Sequence, residues 1–169
     1  AILMLWDRDY TKGLEFANQA VINLPKDNWD AGYCATVKGF ISWASGDLDA
    51  AQDAFAQSFA IGQACGDIML MVSAICNLAH AIEHKGHLQQ ALKLFQDSFR
   101  FAEQDGRTLS VAGYSNGDLA RILYELNDLE AASQHLEESI DLCQLLGDRR
   151  AETIGHCLLA RVRLAQGNH

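Results

Sequence analysis

The chain has 169 residues, of which 49% are hydrophobic and one is proline, and its formal net charge is −9. This acidic balance argues against a surface that binds a nucleic-acid backbone, because such binding requires a basic patch or stripe. The apolar stretch at residues 1–6 is too short for a signal peptide, and no later run approaches the roughly eighteen apolar residues of a membrane span. The composition therefore predicts a soluble segment with no direct nucleic-acid or membrane contact.

Turn signals recur along the chain and divide it into helices. A first series contains Gly46, Gly86, Asn127 and Gly167, at intervals of 40, 41 and 40 residues, and a second contains Gly66, Gly106 and Gly147 about halfway between them. Glycine commonly ends a helix and a following Asp commonly begins the next. In chain order the predicted helices span residues 10–23, 29–45, 48–65, 69–85, 88–105, 109–126, 129–146 and 149–166, and Pro25 lies in the break between the first two.

Each repeat contains two kinds of helix. First-type helices precede a first-series turn and carry a small residue seven positions before it: Gly39, Ala79, Ala120 and Ala160. Second-type helices follow that turn and carry an apolar stripe in steps of four, such as Ala51, Phe55 and Phe59. Because one such pair cannot bury its own apolar face, the pattern predicts stacked antiparallel helix pairs that form a single domain over residues 1–169.

Both ends of the chain look truncated. The chain lacks an initiating Met, residues 1–6 read as the tail of a helix, and His169 stands where the next second-type helix would begin. Terminal repeats normally need a polar outer face. We therefore expect a fragment of a longer protein, with self-association through the truncated ends.

The repeat unit resembles the tetratricopeptide repeat (TPR). The resemblance rests on Gly46-Asp47-Leu48-Asp49-Ala50-Ala51 through Gly66-Asp67, followed by Asn77-Leu78-Ala79. The departures are the 40- to 41-residue period, against about 34 in the family, and the absence of a closing proline. The resemblance implies an all-α, right-handed superhelical solenoid of about four repeats.

The last repeats also resemble the sensor solenoid of MalT-like, LuxR-type transcriptional regulators. This similarity lies in residues 145–152 and 159–167. In that family an ATPase module precedes the solenoid, a helix-turn-helix domain follows it, and the solenoid binds an inducer or an inhibitory protein. The resemblance implies a non-catalytic cytoplasmic sensing domain without a cofactor. A general peptide- or protein-binding scaffold is the alternative.

Five cysteines bear on the compartment and on chemistry: Cys34, Cys65, Cys76, Cys143 and Cys157. Their odd number and the lack of a CxxC pair argue against a disulfide framework. We predict a reducing cytoplasm, with several of the cysteines packed as small hydrophobic residues.

Two motifs raise an enzymatic alternative. The run Gly113-Tyr114-Ser115-Asn116-Gly117 matches G-x-S-x-G, but the repeat register places it inside a first-type helix instead of a strand-to-helix elbow. Glycine at 113 and 117 weakens that helix by roughly 1 kcal/mol each, which indicates a closely approaching neighbour or ligand, or local tolerance. His80 and His84 have i, i+4 spacing but no evident third ligand, so no metal site is predicted.

Aligned first-type helices supply the candidate binding residues, because these helices line the concave surface of a TPR array. The candidates are Tyr33, Trp43, Asn77, His80, Tyr114, Asp118, Arg121, Tyr124 and Arg161. They are predicted to bind a peptide, a protein or a small effector, with Arg121 and Arg161 contacting anions. The alternative interpretation is that Asp118 pairs with Arg121 and that Trp43 and Tyr124 fill space between repeats.

Overall fold

The computed structural model describes residues 9–25, 28–105 and 109–167, and their side chains except those of residues 103–114. Within this part of the chain there are eight α-helices and no strand: α1 (Tyr10–Asn23), α2 (Trp29–Ala44), α3 (Leu48–Cys65), α4 (Ile68–His84), α5 (Leu88–Asp105), α6 (Leu109–Glu125), α7 (Leu129–Leu146) and α8 (Arg149–Ala165). The predicted all-α fold is confirmed. Predicted and observed helix ends differ by at most one residue.

Local hydrogen bonds explain where the helices begin and end. The carboxylates of Asp47, Asp67 and Asp148 each accept the backbone N–H three residues later, at 3.0 Å. Gly66 and Gly147 close α3 and α7 with left-handed φ angles of 67° and 72°. These caps satisfy backbone groups that a helix leaves without partners at its ends.

The first-series turns share one backbone conformation. Gly46, Gly86 and Gly167 have φ angles of 89°, 84° and 79°, and Asn127 has a φ of 62°. Asn tolerates the left-handed region better than most residues with a side chain. Asn127 therefore takes the structural place of the glycine found in the other turns.

The chain divides into two compact units. The first, Ala1–His87, contains α1 to α4, and the second, Leu88–His169, contains α5 to α8. Inside each unit consecutive helices pack against one another, and successive first-type helices also touch, α2 with α4 and α6 with α8. The single domain over residues 1–169 stays a prediction.

In the first unit, small residues bring helices close together. A Cβ on Gly39 would collide with the Phe55 ring of α3, and one on Gly32 would collide with Leu70 of α4. Phe55 and Leu70 are 0% and 1% exposed. Gly39, one of the small residues that recur on first-type helices, therefore permits close packing of α2 against α3, and Gly32 permits the close approach of α4.

In the second unit, the core forms around the stripe of α7. Ala132, Leu136 and Ile140 are buried, as are Ile122 of α6 and Val162 of α8. The stripe predicted from the four-residue spacing therefore faces the neighbouring first-type helices. Among the described residues, no helix is both long enough and apolar enough to cross a membrane.

Candidate functional site

A pocket of about 210 Å³ opens in the second unit between α6, α7 and α8. Its lining residues are Gly117, Asp118, Arg121, Ser139, Ala151, Ile154, Gly155 and Leu158. The pocket therefore contains Asp118 and Arg121, two of the predicted site residues. It also contains Ile154 and Leu158 of the next first-type helix, which align in the repeat with Tyr114 and Asp118.

The pocket exists because this unit has smaller interior side chains than the first unit has at equivalent positions, 81 residues earlier. In the first unit Thr36 is buried and its Oγ1 lies 2.8 Å from Ser58 Oγ. The equivalent of Thr36 is Gly117, and a Cβ placed there would lie 3.4 Å from Ser139 Oγ. That separation is ordinary van der Waals contact, so Gly117 leaves space that a side chain could occupy.

A second shortened side chain enlarges the same space. Leu70 of the first unit packs with Ala31 and Ile61 in a buried cluster, and its equivalent is Ala151. Gly155 behaves differently, because a Cβ there would lie 2.7 Å from Ile140 Cγ1. The space beside Gly155 is thus occupied by Ile140, whereas the spaces at Gly117 and Ala151 contribute to the pocket.

Two opposite charges lie at the pocket. The closest charged atoms are Arg121 Nη2 and Asp118 Oδ1, 4.0 Å apart, and both side chains are about three quarters buried. They are separated by three residues on α6, a spacing at which helical side chains meet. In the first unit the equivalent positions hold Val37 and Phe40, and Phe40 packs edge-on against Phe55 with ring centroids 5.4 Å apart.

Two further predicted residues meet in the second unit. The Arg161 guanidinium of α8 lies over the ring of Tyr124 on α6, 5.0 Å from its centroid. This is cation–π geometry, and it joins two successive first-type helices. The side chain of Tyr114, also a predicted site residue, lies outside the described residues.

The predicted residues of the first unit are packed against neighbours to different degrees. Trp43 fills space between α2 and α4, with its ring centroid 6.3 Å from those of Phe55 and His80 and 4.9 Å from that of His84. His80 Nδ1 also lies 3.6 Å from a Glu83 carboxylate oxygen. The positions of Trp43 and His80 therefore suit packing between helices.

Tyr33 and Asn77, the other two candidates of the first unit, are not fully covered. Tyr33 is 45% exposed and packs edge-on against Trp29, with ring centroids 5.4 Å apart. Asn77 is partly buried on α4. The nine candidates are therefore divided between the two units, and their use as a site stays a prediction.

Comparison with known families decides the kind of repeat. Residues 1–169 match the family described as the MalT-like TPR region. The chain belongs to this MalT-like TPR family. The resemblance read from the repeat residues is therefore confirmed, and no curated protein matches the chain significantly.

Solved structures share the fold of this MalT-like region at low sequence identity. The apo form of RapI superposes with a TM-score of 0.87 at 13% identity, covering 99% of this chain and 61% of that one. BtubC from P. vanneervenii has a TM-score of 0.79 at 16% identity, covering 94% and 65%. A Signal Transduction ATPase with Numerous Domains, with a TPR sensor, from Pyrococcus horikoshii has a TM-score of 0.75 at 17% identity, covering 94% and 24%. The chain thus spans less than two thirds of each.

The structure explains why the G-x-S-x-G match of this MalT-like region is not a nucleophile elbow. Residues 113–117 lie within α6, as the repeat register predicts. Ser115 is 0% exposed, and its hydroxyl accepts a hydrogen bond from Ser98 Oγ at 3.3 Å. A hydroxyl in this position lacks the exposure that a nucleophile needs.

The histidines and cysteines were considered above for metal binding and for thiol chemistry. In residues 9–25, 28–105 and 109–167, no three His, Cys, Asp or Glu side chains come together in a way that could hold a metal ion. The cysteines are free thiols, and burial raises the pKa of Cys34 and Cys143 above its ordinary value. A raised pKa disfavours the reactive thiolate, which agrees with a packing role for these two.

Several pocket residues of this MalT-like region lie outside the nine residues predicted from the sequence. Ser139, Ala151 and Gly155 are not among the candidates, and Gly117 is predicted only as a helix-weakening glycine that indicates a closely approaching neighbour or ligand, or local tolerance. A usable signal was present, because second-type helices carry Ser58, Ser98 and Ser139 at one repeat position. The residue facing Ser58 is Thr36, and the residue facing Ser139 is Gly117. The change from Thr to Gly opposite the repeated serine is therefore the sequence signal for the pocket.

Proposed function

We propose that the chain is the sensing segment of a cytoplasmic MalT-like, LuxR-type transcriptional regulator and acts without catalysis. The observation that carries the proposal is the pocket between α6, α7 and α8, which holds Asp118 and Arg121, in a chain of the MalT-like TPR family. In this proposal an effector or a protein partner binds the first-type helices. Nucleic-acid contact and nucleotide chemistry belong to modules outside these residues, and the segment itself carries a net charge of −9.

Ligand binding at this pocket would act on helix stacking. A ligand in it touches two successive first-type helices, α6 and α8, and the second-type helix α7 between them. It therefore favours whichever arrangement of these three helices it contacts best, and a ligand shifts a conformational equilibrium only by such a difference in affinity. The altered stacking would then change the placement of attached modules.

Filling the pocket tests this proposal in the full-length gene product. Gly117→Thr would place in the second unit the side chain that Thr36 has in the first, and should abolish the response of a transcriptional reporter to its inducing condition. Arg163→Gln is a matched control, because Arg163 pairs with Glu137 outside the pocket lining. An unchanged response in Gly117→Thr, or a gene that encodes neither a nucleotide-binding loop nor a helix-turn-helix, would contradict the regulator.

A peptide- or protein-binding scaffold is the second candidate. It is favoured by the exposed aromatic pair at the start of α2, where Trp29 and Tyr33 are 55% and 45% exposed. Exposed aromatic residues are frequent anchors of protein interfaces. Under this alternative, Trp29→Ser with Tyr33→Ser should disrupt complex formation while Gly117→Thr leaves it intact. Under the regulator proposal, Gly117→Thr should abolish the reporter response, whereas Trp29→Ser with Tyr33→Ser should leave it intact.

A further inference from the structure

We propose that the pocket between α6, α7 and α8 binds a small free aliphatic α-amino acid. Its ammonium group would bind Asp118, its carboxylate would bind Arg121, and its side chain would lie against Ile154 and Leu158. This inference deepens the proposed function and rests on it, since it names the class of effector.

The size of the pocket limits the ligand to a small molecule. Its volume of about 210 Å³ is below the roughly 300 Å³ at which pockets for drug-sized ligands begin. A ligand of that size has few non-hydrogen atoms, so a peptide or an oligosaccharide could place only one of its units inside.

The paired charges select a ligand that carries both signs close together. Arg121 Nη2 and Asp118 Oδ1 are 4.0 Å apart, and both side chains are largely removed from solvent. A ligand with only a carboxylate would meet repulsion from Asp118, and a ligand with only an amine would meet repulsion from Arg121. An α-amino acid carries its ammonium and carboxylate on one carbon, so it can face each protein charge with the opposite one.

A second cation gives the pair a direction. Arg161 lies over Tyr124, which follows Arg121 by one helical turn on α6. The Arg161 guanidinium of α8 therefore places a second positive charge beside Tyr124, and the negative charge lies at Asp118. The carboxylate of the ligand would accordingly lie on the Tyr124 side of the ammonium.

Apart from Ser139, whose hydroxyl lies near Gly117, the rest of the pocket lining is apolar. Ala151, Ile154 and Leu158 of α8 contribute aliphatic side chains, and Gly117 contributes only backbone. Ile154 is 52% exposed, so a ligand side chain packed on it would remove apolar surface from water. These groups favour an aliphatic side chain of a few carbons over a polar one.

Isothermal titration calorimetry on the purified chain tests the ligand class with three probes. L-Leucine carries both charges, 4-methylpentanoate lacks the ammonium group, and 3-methylbutylamine lacks the carboxylate. L-Leucine should bind at least about tenfold more tightly than either analogue, because each charged hydrogen bond contributes at least that factor. Equal or tighter binding of either analogue, or no detectable binding of L-leucine up to its solubility limit, would overturn the proposal.

Charge-removing variants assign the two ends of the ligand. Asp118→Asn and Arg121→Gln should each weaken L-leucine binding by at least about tenfold. Asp118→Asn should also reduce the difference in affinity between L-leucine and 4-methylpentanoate. Arg121→Gln should reduce the difference in affinity between L-leucine and 3-methylbutylamine. The matched controls are Asp141→Asn and Arg163→Gln, which remove exposed charges outside the pocket lining. Equal effects in the variants and controls would count against the site.

Gly117→Thr separates this inference from the proposed function. The variant should stay helical by circular dichroism and lose L-leucine binding. If L-leucine does not bind but Gly117→Thr still abolishes the reporter response, the ligand class is wrong and the sensing function stands. If L-leucine binds through Asp118 and Arg121 but neither it nor any pocket variant alters the reporter, the ligand class stands and the regulator proposal fails.

Discussion

The three-helix layers α2–α3–α4 and α6–α7–α8 have nearly the same helix bounds, 81 residues apart, but different interiors. In the first layer Thr36 bonds Ser58 and Leu70 fills a buried cluster. In the second layer the equivalent residues are Gly117 and Ala151, and a pocket of about 210 Å³ lies there. The repeat backbone thus tolerates the loss of interior side chains.

The comparison shows how a repeat fold acquires a site without changing its helices. The Asp and Gly caps of α3 and α4 recur in α7 and α8, and the second-type helix keeps its apolar stripe. These residues specify the backbone. Side chains that fill the space between helices are replaced by smaller ones, and Phe40 is replaced by Arg121. Substitutions that exchange residues between the layers therefore test the comparison directly.

Leu70→Ala should have the largest effect, because it gives the first layer the small residue of the second. Leu70 is 1% exposed and packs with Ala31 and Ile61. Creating a cavity there should lower the free energy of unfolding by about 2–5 kcal/mol. Urea denaturation followed by circular dichroism measures the change. Leu145→Ala, at a residue 73% exposed, is the control and should shift stability by less than about 0.5 kcal/mol.

Gly155→Ala should destabilise the second layer, although alanine is the better helix former. Its Cβ would lie 2.7 Å from Ile140 Cγ1, and overpacking costs about 1–3 kcal/mol against a helix gain of about 0.5–1 kcal/mol. The expected net loss is about 1 kcal/mol by thermal or urea denaturation. The first layer accommodates Ala74 at this position. Stabilisation by Gly155→Ala would show that Ile140 moves aside freely.

Gly117→Ala should have the opposite sign. Its Cβ would lie 3.4 Å from Ser139 Oγ, which is an ordinary contact, so the helix gain of about 0.5–1 kcal/mol should appear as added stability. The same denaturation experiment measures it beside Gly155→Ala. If both glycine variants change stability in the same direction, the distinction between an open space at Gly117 and a filled one at Gly155 is wrong.

The smallest expected effect is on the pH dependence of stability, through the hydrogen bonds that join a second-type helix to the end of the following first-type helix. In the first layer Lys85 Nζ donates to Asp49 Oδ1 at 2.5 Å, and this hydrogen bond lowers the pKa of Asp49 below its ordinary 3.8. At the position equivalent to Lys85, Gln166 donates to the Leu129 carbonyl oxygen at 3.1 Å, a neutral bond. Of these two hydrogen bonds, only the one between Lys85 and Asp49 depends on charge.

The sign of the pH effect follows from the lowered pKa. The stabilisation from Asp49 is fully present above about pH 3.8 and is lost as the pH falls through the lower pKa of the folded state. Lys85→Gln should remove this part of the acid dependence in denaturation curves measured across that range. The effect should be small and weaken with added salt, because the Asp49 side chain is 84% exposed. An identical acid profile in Lys85→Gln would contradict it.

Local patterns were enough to predict the helices to within one residue at each end. Asp47, Asp67 and Asp148 cap the helices that follow them, and the glycine turns need left-handed backbone that few other residues adopt. These are interactions among residues a few positions apart. The pairing of Asp118 with Arg121 was also open to prediction, since three-residue spacing places both side chains on one face of α6.

The pocket depends on contacts between residues far apart in the sequence. Gly117 and Gly155 are both glycines on first-type helices, and nothing in their local patterns distinguishes them. In the folded chain Ile140 occupies the space beside Gly155, while the Cβ position of Gly117 is left in ordinary contact with Ser139. Whether a missing side chain becomes a space for a ligand is decided by its neighbours on other helices.

The sequence by itself determined the repeat, the ends of its helices, the faces that pack and the family to which they belong, because capping and apolar periodicity act over one or two helical turns. Only the tertiary structure decided where the interior stays open. That outcome depends on how side chains from α6, α7 and α8 share one volume, and a space shared by three helices has no signature in any one of them.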